Sequence, residues 1–411
     1  MVYFSIIIVV YFSITIYNIA AEYAQRAKDV NGKCALAYLL SGDVALALND
    51  ANKASSDYNQ AIYLDENCSD AYLKYAEVYK GVDPQLSIDM LMRLQAKTPD
   101  DNRINKELGD VYYTMGQYGK AKAAYEVYMK TGVPAEQDYT RYAMLLYLNK
   151  DYDKSLDIVK KGLASSPDSH VLKRLVMYND MELKAYQAGL EDAATFFANP
   201  DNPDFVYLDY IYFARLLAGT KQYDEAIAQF HKALSMDNQH PDIHKEISEI
   251  YEKQGNYPNA IIAYKEYLDA LKDKSEVSDL FLYGRLNYYA ATDSTYKDKQ
   301  QEYLAEADTV FAQVAEKVPD NYLGNFWRAR VNSLRDPETT QGLAKPYYEA
   351  ALSILEQKPD ASKSLLVECN SYLGYYYFVN SDYPQSKIYW NKILEIDPGN
   401  ETATKALEGI K

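Results

Sequence analysis

The sequence predicts an all-α solenoid, a superhelix of about ten stacked helix-turn-helix repeats. Three observations carry that expectation. A small residue recurs at Ala54, Ser87, Ala121, Ser155, Gly189, Ala226, Ala260, Ala307, Ala344 and Ser386, at successive spacings of 33, 34, 34, 34, 37, 34, 47, 37 and 42. A companion column precedes it at Gly42, Ala76, Gly109, Ala143, Met177, Ala214, Ser248, Gly284, Ala329 and Gly374. Both columns fall within amphipathic stretches of helical period, so each pair marks a place where two helices cross closely. Tyrosine is also abundant, 43 of 411 residues, and falls mostly at helix-packing positions. There the ring is buried while the hydroxyl reaches water or a neighbour.

Taken in order, the chain opens on residues 2–21, which carry no charge. Three readings stand: a membrane anchor, a secretory signal, or an incomplete or misassigned start. No Lys or Arg precedes the apolar run, whereas Arg26, Lys28 and Lys33 follow it, the wrong asymmetry for an ordinary signal. Ala20, Ala24 and Ala27 stand 34 residues before Ala54, Tyr58 and Ala61, so residues 16–29 read as the back half of a repeat. The array proper is assigned to residues 22–400 and a capping helix to 401–411, with Ala403, Leu407 and Ile410 covering the last repeat.

The clearest copy is residues 102–132. Leu108, Gly109 and Tyr112 mark its first helix, and Met115, Gly116 and Gln117 its turn. Tyr118, Ala121, Ala124, Tyr125 and Tyr128 mark the inward face of its second helix. Residues 207–239, 241–272 and 367–400 repeat the pattern well, and Met177 makes residues 170–197 the poorest copy. Pro99, Pro167, Pro319 and Pro398 each follow a small residue by twelve and close its helix. Extra residues fall in 199–205, 292–303, 335–342 and 356–363; none has the periodicity of a separate domain, and they read as neutral surface excursions.

The Leu-Gly-x-x-Tyr at 108–112, the Ala121 and Tyr125 pair and the closing prolines resemble the tetratricopeptide repeat, in its bacterial multi-repeat form. The resemblance implies a right-handed superhelix whose work is binding. It also implies that first-helix residues line the inner groove, including the position just after the small residue. Here that column reads Asp43, Glu77, Asp110, Met144, Tyr178, Arg215, Glu249, Arg285, Arg330 and Tyr375. The candidate partner-binding residues are therefore Arg215, Arg285 and Arg330, with Arg174, Tyr178, Phe281, Tyr288, Phe326, Tyr375 and Phe378 around them. An Arg flanked by aromatics binds a carboxylate through two parallel hydrogen bonds while a ring receives an apolar side chain. The competing account is that each Arg pairs with an acid of the next repeat and stiffens the array. The family's Lys/Asn clamp for chaperone tails is not reproduced.

Composition narrows the partner. A net charge of −16 argues against a nucleic-acid backbone or an anionic membrane surface, leaving membrane contact only to residues 2–21. That same apolar stretch favours export, to a periplasm or envelope, over the cytoplasm. Cys34, Cys68 and Cys369 are too few and wrongly spaced for a disulfide framework or zinc site, and free thiols are expected. His240 and His244 read as residues of a helix start rather than as metal ligands. No phosphate loop or catalytic constellation is present, so no cofactor and no enzymatic activity are expected. The leading expectation is a non-enzymatic scaffold binding an extended peptide or helix of another protein. The alternative is glycan capture at a bacterial cell surface through the tyrosine-rich groove.

Overall fold

A computed structural model describes residues 2–198 and 204–410, with side chains from Ile16 onward in the first helix. The described residues are helical throughout and contain no strand. Contacts divide the chain into two compact units, Met1–Pro203 and Asp204–Lys411. The first holds α1 (Val2–Val30), α2 (Ala35–Ala47), α3 (Ala51–Leu64), α4 (Ser69–Tyr79), α5 (Pro84–Gln95), α6 (Arg103–Thr114), α7 (Tyr118–Thr131), α8 (Glu136–Leu148), α9 (Tyr152–Ser165), α10 (His170–Glu182) and α11 (Tyr186–Phe196). The second holds α12 (Tyr207–Gly219), α13 (Tyr223–Met236), α14 (Asp242–Lys253), α15 (Tyr257–Leu271), α16 (Val277–Thr292), α17 (Gln300–Lys317), α18 (Tyr322–Arg335), α19 (Lys345–Leu355), α20 (Lys363–Val379), α21 (Tyr383–Ile396) and α22 (Glu401–Gly409). In each unit an even-numbered helix pairs with the odd-numbered helix after it, and pairs stack on their sequence neighbours. The molecule is an α-solenoid of helical repeats.

The two columns of small residues are the crossing points, and every member of both is buried. Where the crossing residue is serine, its hydroxyl reaches the opposite backbone. Ser87 donates to the Ala76 carbonyl (2.7 Å), Ser155 to Ala143 (2.8 Å), Ser386 to Gly374 (2.7 Å) and, in the reverse sense, Ser248 to Ala260 (2.7 Å). A buried hydroxyl is tolerated there because it is paired. A Cβ on Gly109 would lie 2.5 Å from the Tyr125 ring, and Tyr58, Phe311 and Trp390 crowd Gly42, Gly284 and Gly374 in the same way. Met177 is fully buried, and the residues opposite it in the pattern are only Gly189 and Ala193. Volume moved from one helix to the other, which keeps a core of ordinary density. Ala344 is buried as expected but caps α19 from outside, so that helix begins late.

The turn inside a pair takes one form at eight of the ten pairs, α4–α5 and α16–α17 being the exceptions. Five residues before the small residue the backbone is left-handed, at Asn49, Gly116, Lys150, Lys184, Lys221, Gly255, Thr339 and Ser381. Four second helices, α3, α5, α15 and α21, start on an Asp or Asn whose side chain takes a first-turn N–H, as Asp50 does from Lys53, Asp83 from Leu86 and Asp382 from Gln385. Three first helices, α8, α12 and α16, start differently. Their third residues, Asp138, Asp209 and Asp279, are buried and accept the N–H of Ala135, Val206 and Glu276. Tyr128 and Lys106 also reach Asp138, and Tyr267 and Lys245 reach Asp279. A carboxylate at a helix N-terminus is favoured by the dipole, and the cation and hydroxyl offset its desolvation.

α1 packs on α2, with Ala24 fully buried and Lys28 bonded to Asp57 at 3.1 Å. The side chains of residues 2–15, on which the anchor and signal readings turn, lie outside the described residues, as does most of the 199–205 insertion. Among the described residues no helix is long and apolar enough to cross a membrane. At the other end, Ala403 and Ile410 pack with Trp390 and Ile393. All three cysteines are free thiols; Cys34 and Cys68 both sit at the N-cap of a first helix. Burial pushes the Cys369 thiol up to about 12.

Two insertions are folded against the repeats, contrary to their expectation as neutral excursions. Residues 292–303 form a short 3-10 turn, Ser294–Lys299, whose Tyr296 hydroxyl donates to the Gly255 carbonyl at 3.1 Å. In residues 335–342 the buried Asp336 carboxylate accepts the N–H groups of Gln341 (3.0 Å) and Gly342 (2.8 Å). Neither has a period because each is held by single polar contacts.

Candidate functional site

The first helices present the residues that follow the crossing column. In the first unit this position carries Met144, Tyr178 and three acids, of which two are engaged. Asp43 accepts the Tyr58 hydroxyl (2.9 Å) and lies 2.8 Å from Lys74. Asp110 accepts Tyr125 (2.7 Å), with Arg141 at 3.5 Å. In the second unit the position carries Arg215, Arg285 and Arg330. Arg215 grips Glu246 of the next pair with Nε and NH2 (2.9 and 2.6 Å), and Arg330 grips Glu368 in the same way (2.8 and 2.7 Å). The Glu368 bond holds the Arg330 guanidinium above its usual range. Arg285 reaches back to Glu252 at only 3.6 Å. The pairing reading is thus realised in full at two of the three arginines. These side chains are about one-third exposed, so each link stabilises the stack by on the order of 1 kcal/mol or less.

The aromatic candidates separate. Tyr178 and Phe326 are buried, at 7 % and 2 % exposure, and are corrected from groove to core. Phe326 packs edge-on to Tyr348 and Tyr322, and Arg330 lies over its ring at 4.6 Å. Phe281 and Tyr288 are half-buried against Trp327, with ring centroids 5.7 and 5.2 Å away. Tyr375 and Phe378 are exposed on α20. Arg174 lies over Phe196 at 5.5 Å and, with Tyr178, belongs to the first unit rather than beside the other eight.

Cavities open beside two of the arginines. One of about 450 Å³ is lined by Lys245, Glu249, Lys253, Tyr264, Leu282 and Arg285. Another, of about 460 Å³, lies between Tyr288, Arg330, Ser333, Pro337, Tyr348 and Glu368. Pro337 comes from the 335–342 insertion, which therefore forms one wall. Sequence reasoning missed Tyr264, Tyr348, Lys245 and Pro337, because they stand on other helices and loops and meet the arginines only when pairs stack. Among the described residues no group of His, Cys, Asp or Glu could hold a metal ion. His240 stacks on Tyr207 and bonds Asp237, while His244 Nδ1 lies 3.0 Å from Glu266, so the two face separate partners.

Paired helices nested through small residues, with one helix of each pair presenting polar side chains and clefts, define a helical-repeat scaffold. Family models described as tetratricopeptide repeat match residues 217–280 in one case and residues 35–68 and 107–126 in another. The chain is similar to the C-terminal part of a TPR repeat-containing protein from Cytophaga hutchinsonii, at 29 % identity and TM-score 0.55, over 65 % of this chain and 99 % of that one. It is also similar to MamA (41-end) from Desulfovibrio magneticus RS-1, at 12 % identity and TM-score 0.39, over 43 % of this chain and 97 % of that one. Yeast Tom70 matches at 16 % identity and TM-score 0.33, over 93 % of this chain and 88 % of that one. The chain carries tetratricopeptide repeats, which support a protein-interaction scaffold whose kind of partner is another protein.

Proposed function

We propose that this scaffold is non-enzymatic and holds an extended peptide or helix of a partner protein along the first-helix face of its second unit, around Arg215, Arg285 and Arg330. The observation that carries the reading is the pair of polar clefts beside Arg285 and Arg330, each walled by aromatic and apolar groups. A cleft of a few hundred Å³ takes one side chain of a peptide, and a partly exposed guanidinium fixes its orientation. The arginines exchange an internal Glu for a partner's acceptor without leaving a charge buried, since the released Glu is itself partly exposed.

The test is affinity capture from cells that express the protein, followed by titration with synthetic segments of the captured partner. Replacing Arg215, Arg285 and Arg330 together by Ala abolishes capture and peptide binding while far-UV circular dichroism is unchanged. Undiminished binding by the triple variant refutes the site. The glycan alternative has no finding behind it.

A further inference from the structure

At four repeats a tyrosine stands four residues after the small residue of the second helix, and at three of them its hydroxyl meets a carboxylate. Tyr58 donates to Asp43 (2.9 Å), Tyr125 to Asp110 (2.7 Å) and Tyr348 to Glu368 (3.2 Å). The fourth, Tyr264, is 3 % exposed, and its hydroxyl is closed from solvent with no hydrogen-bond partner. By position its acceptor is Glu249, which follows Ser248 as Asp43 follows Gly42 and Asp110 follows Gly109, yet no such bond forms. Asp279, the other carboxylate nearby, adds to the burial that raises the Tyr264 hydroxyl's pKa, yet it lies outside hydrogen-bond geometry and is held by the Glu276 N–H, Tyr267 and Lys245.

The neighbouring arginine is short of an acceptor too. Arg285 Nε is buried and unpartnered, whereas Arg215 and Arg330 use Nε and NH2 together on one carboxylate. Tyr264 and Arg285 both line the cavity of about 450 Å³ formed by α14, α15 and α16, and Lys245 and Lys253 add positive charge to its wall. A buried donor without an acceptor forfeits the hydrogen bond it makes in water, so two in one cavity mark a place for acceptor oxygens from outside. The chain itself shows which group meets such a tyrosine at the other three repeats: a carboxylate.

We propose that this cavity binds a carboxylate of the partner, an Asp or Glu side chain or a free carboxyl terminus, through the Tyr264 hydroxyl and Arg285 Nε–H. The proposal deepens the peptide-binding reading and rests on it for the carrier of the carboxylate. Two acids share the wall with the lysines: burial holds the Glu249 carboxyl above its usual range, and Glu252 lies 3.6 Å from Arg285 NH2, leaving Nε free.

The test follows the Arg285 Nε–H resonance of the full ¹⁵N-labelled chain during titration with three small probes. N-acetylglutamate α-amide carries a side-chain carboxylate, N-acetylglycine a terminal one, and N-acetylglutamine amide neither. Either carboxylate shifts the resonance saturably at roughly millimolar concentration, the stronger of the two naming the source, and the neutral amide does not. Tyr264→Phe removes a hydroxyl without an internal partner, so the variant folds, and it weakens the carboxylate about tenfold. No shift, equal shifts with all three probes, or an unchanged affinity in Tyr264→Phe overturns the proposal. None of these touches the capture experiment with the triple arginine variant, so the two readings fail separately.

Discussion

At the scale of single residues, packing and polarity are settled at the crossings together. Gly109 makes room for Tyr125, whose hydroxyl passes the crossing to reach Asp110. Burial raises that hydroxyl's pKa well beyond the ordinary tyrosine value, so it stays a donor. Gly109→Ala drives a methyl into the ring and displaces the bond, which lowers stability by about 2–3 kcal/mol in urea titration. Asp180 offers a pH-dependent counterpart. It is buried in α10, and burial together with a hydrogen bond to Asp192 pushes its carboxyl up to about 7. The folded chain therefore holds a proton there that the unfolded chain has released above about 4. The stability contribution is complete below pH 4 and is lost as pH rises toward 7. Asp180→Asn keeps a protonated partner for Asp192 at every pH. Thermal melts then show a higher Tm than wild type at pH 7.5, with the gap closing by pH 4.

Helices are joined by rules that the sequence states only in part. The turn inside eight of the ten pairs uses a left-handed residue, and Gly116 and Gly255 supply it without strain. At Lys150, Lys184 and Lys221 the same conformation is imposed on a side chain that disfavours it, so no glycine marks those turns. Nothing lies within 4 Å of a Cβ built on Gly255, so Gly255→Ala reports the backbone alone. It lowers stability by about 1–2 kcal/mol, whereas Lys221→Gly stays within ~0.5 kcal/mol because relieved strain and added unfolded-chain entropy offset each other. Differential scanning calorimetry separates the two. Helix existence and register were legible because Ser87, Ala121, Ser155 and Gly189 repeat every 34 residues; the buried acids that start α8, α12 and α16 were not. Asp138 and Asp279 look like ordinary surface acids until Tyr128 and Tyr267 close over them.

For the whole molecule, the solenoid could be read from two columns of small residues, and the candidate arginines from the position after them. Their partners could not. Glu246 and Glu368 lie 31 and 38 residues from Arg215 and Arg330, a distance that follows from how far insertions stretch each repeat. Phe326 shows the converse error: helical spacing placed it beside Arg330, but it faces inward and supports the guanidinium from below. The folded insertions supply what no repeat carries, a wall for the Arg330 cleft and a tie between Tyr296 and Gly255. The proposed binding resides on one face of one unit.

The most direct measurement is site-specific photocrosslinking of the captured partner to the full chain, from Lys253 in the α14 rim of the Arg285 cleft and from the exposed Ile262 on α15. The account predicts a crosslink from position 253 and none from 262. Crosslinks from 262 with none from 253 would place the partner on the second helices and contradict it.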